Sequence, residues 1–242
     1  MTRLSSKKEI KYLKILALDT ATSACSVAIR IDGETVSSSL EPMARGQSEV
    51  LMPMLMGALA QAKLNVRDVD LIAVTRGPGA FTGLRIGLAT ARGLALASGV
   101  ACCGITTTEA IADAAYDTKD PSKTLLVALD SKRADIYVQA FRGKGSLIGQ
   151  PRAVSLDGLQ SVIDGLKLVG RIEVVGDAQD RAMEFLKGDF TKSATSKFTD
   201  ARFVAGVAER IVLSGVGLGE TSPLYLRPAD AVVPKNGGRL RV

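Results

Sequence analysis

Between residues 15 and 40 the alternation of apolar and polar positions reads as three strands. Ile15-Leu-Ala-Leu-Asp19 is a short apolar run ended by an aspartate, Thr20 to Ala24 are small turn residues, and 25–31 alternates as the returning strand of a hairpin. Asp32-Gly33 is a tight-turn pair that leads into a third strand over 34–40. Residues 48–63 are helical in composition, with Pro53 expected in the first turn or at a kink. Residues 71–75 form a buried strand, Arg76-Gly-Pro-Gly-Ala-Phe-Thr82 a loop, and about 83–98 a second helix, followed by a short strand over 100–104.

The second half repeats this order. Leu126-Val-Ala-Leu-Asp130 matches 15–19 position by position, Ser131 stands where Thr20 did, and 136–141 is again a returning strand. Ile172-Glu-Val-Val-Gly176-Asp177 corresponds to 71–77, with a helix-forming stretch over 178–186. The shared order predicts two similar α/β lobes, divided as 1–107 and 108–242 near residues 104–109. Residues 117–123 are a charged, proline-containing loop. The tail from Ser222, with three prolines, Gly237-Gly238 and several basic residues, is expected to be partly extended.

The two first-lobe helices carry few charges. In 83–98 these are Arg85 and Arg92, seven residues apart and so on one face; Gly83, Gly87, Ala91 and Ala95 form a stripe of small residues, with bulk from Leu84, Leu88 and Leu94. Glu49 and Lys63 are the charges of 48–63, and Met52, Met54 and Met56 give it adaptable side chains. One lobe can cover a single face of each helix with its sheet. Either the second lobe covers the other faces, or they form a protein interface, expected at Met52, Leu55 and Leu59 of one helix and Leu84, Arg85, Leu88, Ala91 and Arg92 of the other. On the interface reading, Leu88→Glu or Ala91→Arg should abolish pairing and leave the fold intact.

Composition narrows the chemistry. The chain has 242 residues, 46% hydrophobic and 23% charged, with 4% aromatics and no Trp, so its cores must be aliphatic. No apolar run approaches the roughly 20 residues that span a bilayer, and the run at 15–18 is too short for a signal-peptide core. A cytoplasmic protein with no membrane contact is expected. Cys25, Cys102 and Cys103 lack metal-ligand spacing and suit small buried hydrophobes in a reducing compartment. Histidine is absent, which excludes a His-based triad, a His general base and a His-rich zinc site. The net charge of +6 would favour encounter with a polyanion. However, the clusters at Lys7, Lys8, Lys11, Lys14 and at Lys235, Arg239, Arg241 are not interleaved with aromatics, which suits a solvated surface.

Two segments could touch an anion. The glycine-rich loop 77–83 follows a strand and opens a helix, yet it lacks the Lys-Ser/Thr of a P-loop and the spacing of a dinucleotide fingerprint. A tight turn with Thr82 as helix N-cap accounts for it better. Asp19, Thr20 and Thr22 at the first hairpin tip have the groups of a degenerate phosphate loop, able to hold a phosphate or metal-bound water. Asp130 is the nearest candidate for a second carboxylate.

The string from Ile15 to Ile29, the string Arg76-Gly-Pro-Gly-Ala-Phe-Thr-Gly-Leu-Arg-Ile-Gly87, Gly93-Leu-Ala-Leu-Ala97, Ala128-Leu-Asp130 and Pro223-Leu-Tyr-Leu-Arg227 together resemble the TsaB (YeaZ) family. The resemblance runs from residue 15 to 235. It implies an actin/Hsp70-like (ASKHA) fold of two ribonuclease-H-like lobes with mixed sheets and flanking helices. It also implies a role in making N6-threonylcarbamoyladenosine at position 37 of tRNAs that read codons starting with A. The implied role is that of a non-catalytic subunit, with no catalytic residue, metal or cofactor of its own. It would pair with the sister protein TsaD through first-lobe helices, with the ATPase TsaE in the complex and tRNA reached through it, and could form a homodimer when alone. Members often carry a histidine where this chain has Gln47, which rules out a metal or catalytic role there. An actin-like kinase or ATPase acting alone through Asp19 and Asp130 is the competing reading; a metallopeptidase fails on the missing histidine. Residues 1–14 have no role implied.

Overall fold

A computed structural model describes residues 13–116 and 123–227. The basic cluster at Lys7, Lys8 and Lys11, the loop 117–122 and the tail beyond Arg227 lie outside these residues. The first repeat runs β1 (Lys14–Asp19), β2 (Ala24–Ile31), β3 (Glu34–Pro42), α1 (Gln47–Gln61), β4 (Leu71–Gly77), α2 (Phe81–Ser98), β5 (Ala101–Thr106) and α3 (Thr107–Ala115). The second runs β6 (Thr124–Asp130), β7 (Asp135–Arg142), β8 (Leu147–Ser155), α4 (Leu159–Gly165), β9 (Ile172–Val175), α5 (Gln179–Met183), β10 (Phe190–Lys192) and α6 (Ala201–Leu213).

The sheets have the orders β3-β2-β1-β4-β5 and, read the same way, β8-β7-β6-β9-β10. In each, the central strand pairs antiparallel with its hairpin partner and parallel with the strand after the helix. Ile15 lies opposite Leu71 and Leu126 opposite Val174, so the parallel register of the second lobe is displaced by two residues from the repeat and each strand keeps the same faces. Both lobes are therefore mixed sheets of the same topology with flanking helices. The sequence did not suggest α3, β8, α4, β10 or α6, and α5 is much shorter than the stretch 178–186 expected to be helical.

Alternation along the central strands separates two aliphatic layers in each lobe. Leu16 and Leu18 face α1 and α2, while Ile15 and Ala17 face α6. In the second lobe Leu126 and Ala128 face α4 and α5, and Leu125 and Val127 face α3. The third helix of each repeat thus packs on the other repeat's sheet. The proposed division at 107/108 falls at the start of α3, and residues 201–213 of the second segment pack on the first sheet.

Local sequence sets these crossings. Thr106 and Glu109 form a capping box that starts α3: the Thr106 hydroxyl accepts from Glu109 N and the Glu109 carboxylate from Thr106 N, both at 3.1 Å. Asp200 caps α6, accepting from Arg202 N at 2.9 Å. Buried Ser26 of β2 accepts from Ala201 N at 2.9 Å, and Glu209 of α6 accepts from Arg30 Nε and Gly33 N at 2.8 Å.

Candidate functional site

The first hairpin tip is closed. Asp19 and Thr20 are fully buried, and the loop after β4 is folded over them. Thr20 Oγ1 donates to Gly83 O at 2.7 Å, and Ala80 N donates to Ala21 O at 2.8 Å. Gly79 and Gly83 allow this approach, because a Cβ at either would overlap the carbonyl oxygen of Ala21 or Thr20. The glycine-rich loop is therefore a packing surface for the hairpin. Thr82 is not its cap: α2 begins at Phe81, Ala80 occupies the N-cap, and no side chain caps it.

Asp19 Oδ1 accepts from Thr75 Oγ1 at 2.6 Å and from Ala21 N at 3.1 Å, while Oδ2 has no partner among the described residues. Burial pushes its carboxyl up to about 7, against the two hydrogen bonds. Of the three residues of the expected phosphate loop, only Thr22 reaches the space between the lobes. Asp130 does not complement Asp19 as a second carboxylate. Its side chain is tied to Arg181 at 2.9 Å and to Lys132 at 3.1 Å. The thiols are held protonated by burial, Cys25 at about 12 and Cys102 at about 11.

A cleft of about 1050 Å³ opens between the lobes. Its walls come from residues 44–48 at the start of α1, 79–86 at the start of α2, Ser131, Lys132 and Arg133 of the second hairpin tip, and Leu224 to Arg227 of the C-terminal segment. That segment is tied down by Leu224 N donating to Arg76 O at 2.7 Å and by an ion pair between Arg227 and Asp135. Gln47 is buried at the start of α1, its Nε2 donating to Met43 O at 3.4 Å. Pro53 sits in the second turn of α1, which corrects the first-turn position, one of the two alternatives expected for it.

The structure corrects the expected interface residue by residue. Leu55, Leu59, Leu84, Leu88 and Ala91 are buried inside the first lobe, and all but Leu84 pack in one aliphatic layer with β1, β2 and β4. They cannot line a partner surface without unfolding the lobe, and Leu88→Glu and Ala91→Arg should break the fold. Met52, Arg85 and Arg92 are exposed as expected. The outward face is shifted by two residues along α2. It presents Ala89, Gly93, Leu96 and Ala97, beside Met52, Met56, Gly57 and Ala60 of α1. Met56 is 57% and Leu96 88% exposed, and space beyond Gly57 and Gly93 is open. Small residues at a spacing of four do form a smooth stripe, but the outer one is Ala89, Gly93 and Ala97.

One cluster was missed. Phe81 and Tyr225, far apart in sequence, stack at the cleft wall with ring centroids 5.1 Å apart. The Arg85 guanidinium lies 3.6 Å over Phe81, and its Nε donates to the Tyr225 hydroxyl at 3.1 Å. Periodicity could not reveal this, because Tyr225 lies outside any helix or strand. Both rings, however, fall within the motif strings at 76–87 and 223–227.

Two sheets of one topology, with third helices exchanged across the join and a cleft between the lobes, define an actin-like ASKHA-fold protein. A hexokinase of Thermus thermophilus shares the fold at TM-score 0.51 and 13% identity, over 83% of this chain and all of that one. The family model described as TsaD, tRNA N6-adenosine threonylcarbamoyltransferase, matches residues 41–203. The chain therefore belongs to that family, and within it groups with the TsaB (YeaZ) proteins. The tRNA threonylcarbamoyladenosine biosynthesis protein TsaB of Escherichia coli is 38% identical over 125 residues, 52% of this chain and 53% of the relative. The chain spans about half the length of this relative and of its Haemophilus influenzae counterpart. A Pseudomonas aeruginosa protein described as similar to peptidase YEAZ superposes with TM-score 0.76 at 25% identity, covering 89% of this chain and all of that one.

Proposed function

We propose that this chain is a non-catalytic subunit in the synthesis of tRNA threonylcarbamoyladenosine, pairing with TsaD through the outer faces of α1 and α2. The observation that carries this reading is the apolar, small-residue surface of Met52, Met56, Gly57, Ala89, Gly93 and Leu96. Such a patch exposed on a single chain marks a protein contact. Small residues let helices approach closely, and the methionines adapt to a partner. The names of the relatives supply the pathway. The absence of histidine and the closed Asp19 tip support assigning the chemistry to the partner. An actin-like kinase acting alone would need that tip open to the cleft. TsaE and tRNA join through the complex, and the same face would serve a homodimer in the partner's absence.

Analytical ultracentrifugation with the same organism's TsaD tests this. A heterodimer should form at micromolar concentration and replace any homodimer. Gly93→Arg should weaken it by on the order of a hundredfold, by burying an unpaired charge, without lowering the melting temperature. Undiminished pairing by folded Gly93→Arg would reject the interface, and no pairing by the wild-type chain would reject the function.

A further inference from the structure

The interlobe cleft has a chemistry that pairing with another protein does not use. Arg45, Arg85, Lys132, Arg133 and Arg227 line it, and no carboxylate does among the described residues. Lys132 and Arg227 are partly offset by Asp130 and Asp135. Arg45 and Arg85 have no carboxylate partner among the described residues. The positive groups come from both walls, Arg45 and Arg85 from the first lobe and Lys132 and Arg133 from the second. In addition, α1 and α2 both begin at this cleft without a side-chain cap, so the positive ends of two helices add to the field.

At the same wall stand two aromatic rings in a chain that has few. Phe81 is 45% and Tyr225 41% exposed, despite stacking on each other and on Arg85. Exposed rings beside a run of positive charge suit an unpaired nucleic-acid strand, whose bases stack on the rings while its phosphates meet the cations. A duplex would hide its base faces from such a wall. A free nucleoside triphosphate would need a phosphate loop, and the first hairpin tip is filled by Gly79 and Gly83.

We propose that the cleft binds a single-stranded RNA segment, one unstacked base packing on the Phe81–Tyr225 surface and the flanking phosphates lying at Arg45, Lys132 and Arg133. The choice of RNA rests on the proposed role in tRNA modification, to which the cleft adds a direct RNA contact at the N-terminal ends of the pairing helices. The base contact also explains why Arg85, at the edge of the outer face, turns toward the cleft.

Fluorescence anisotropy of the full chain with a labelled single-stranded RNA of about 12 nucleotides tests the proposal. Binding should saturate and weaken steeply with salt. Phe81→Ala and Tyr225→Ala should each lower affinity roughly tenfold. Arg45→Glu with Arg133→Glu should lower it further and flatten the salt dependence, while Lys187→Glu, a charge reversal away from the cleft, should not. Circular dichroism confirms that each variant is folded. No saturable binding, equal affinity for the same strand annealed to its complement, or wild-type affinity in the folded aromatic variants would overturn the proposal. Displacement of the RNA by micromolar ATP would also overturn it, in favour of a free-nucleotide site. The two readings fail separately. Tyr225→Ala should still form the heterodimer and Gly93→Arg should still bind the RNA, so loss of one activity leaves the other assignment standing.

Discussion

The hairpin tips of the two lobes share a sequence, Leu-Asp after an aliphatic run, and a place in the same topology, yet their environments are opposite. Asp19 is sealed under the loop before α2, with one oxygen unpartnered and its carboxyl raised to about 7. Asp130 is partly exposed and held by Arg181 and Lys132. The difference lies in the segment after the parallel strand. In the first lobe Gly79 of the loop and Gly83 of the helix let the 18-residue α2 press its N-terminus against the hairpin. In the second, the five-residue α5 instead sends Arg181 to the tip. A duplicated fold thus keeps one tip as a packing joint and leaves the other polar beside the cleft.

The packing joint breaks most easily at Gly83. A Cβ there meets backbone, the Thr20 carbonyl, which cannot swing aside as a side chain would. Gly83→Val should destabilise the chain by about 4–5 kcal/mol, read by urea denaturation. On the outer face of the same helix Gly93 has open space, and Gly93→Ala should stabilise by about 0.5–1 kcal/mol. Equal effects at the two glycines would remove the contrast between inner and outer faces.

The buried aspartate gives the stability of the fold a pH signature. Asp19 moves from an unfolded value of 3.8 to about 7 in the fold. Between these values the folded chain keeps a proton that the unfolded chain releases. Its contribution to stability is therefore complete below about pH 4 and is lost as pH rises through 7. Asp19→Asn retains an acceptor for Thr75 and Ala21 and cannot ionise. It should stabilise the protein at pH 8 by up to about 4 kcal/mol and leave stability at pH 4 nearly unchanged. A difference independent of pH in thermal melts would mean that Asp19 is ionised in the fold.

Period-2 alternation and the Leu-Asp repeat carried the strands β1, β2, β4, β6, β7 and β9, because each is a buried aliphatic run with a turn at its end. Neither α3 nor α6 was suggested by the sequence, and even a recognised helical period marks an apolar face without saying which sheet covers it, so their exchange was not legible. The same ambiguity misplaced the interface: the stripe Gly83, Gly87, Ala91 and the stripe Ala89, Gly93, Ala97 are equally small, and only packing against β1 and β4 separates them. The cleft was the least visible part. Phe81, Arg85 and Tyr225 meet through an irregular C-terminal segment held by backbone contacts with Arg76, which leave no periodic trace.

The smallest expected effect lies at the second tip and sharpens the comparison from its other side. Asp130 Oδ1 accepts from Lys132 N at 2.8 Å and from Arg181 Nη1 at 2.9 Å. Both of these acceptor roles survive in Asp130→Asn, which removes the charge and the Oδ2 acceptor for Lys132 Nζ at 3.1 Å. The pair is partly exposed, with side-chain accessibilities of 35% for Arg181 and 25% for Asp130, so solvent screens most of the Coulomb attraction. Asp130→Asn should therefore destabilise by less than about 1 kcal/mol, and the loss should shrink further in high salt. Arg181→Ala should have the larger effect of the two, because Nη2 also donates to the carbonyls of Arg133 and Ala134 at 3.0 and 3.1 Å and holds the loop that presents Lys132 and Arg133 to the cleft. If Asp130→Asn instead proved as disruptive as Gly83→Val, the second tip would be a sealed joint like the first, and the cleft would lose the polar wall on which its proposed RNA contact depends.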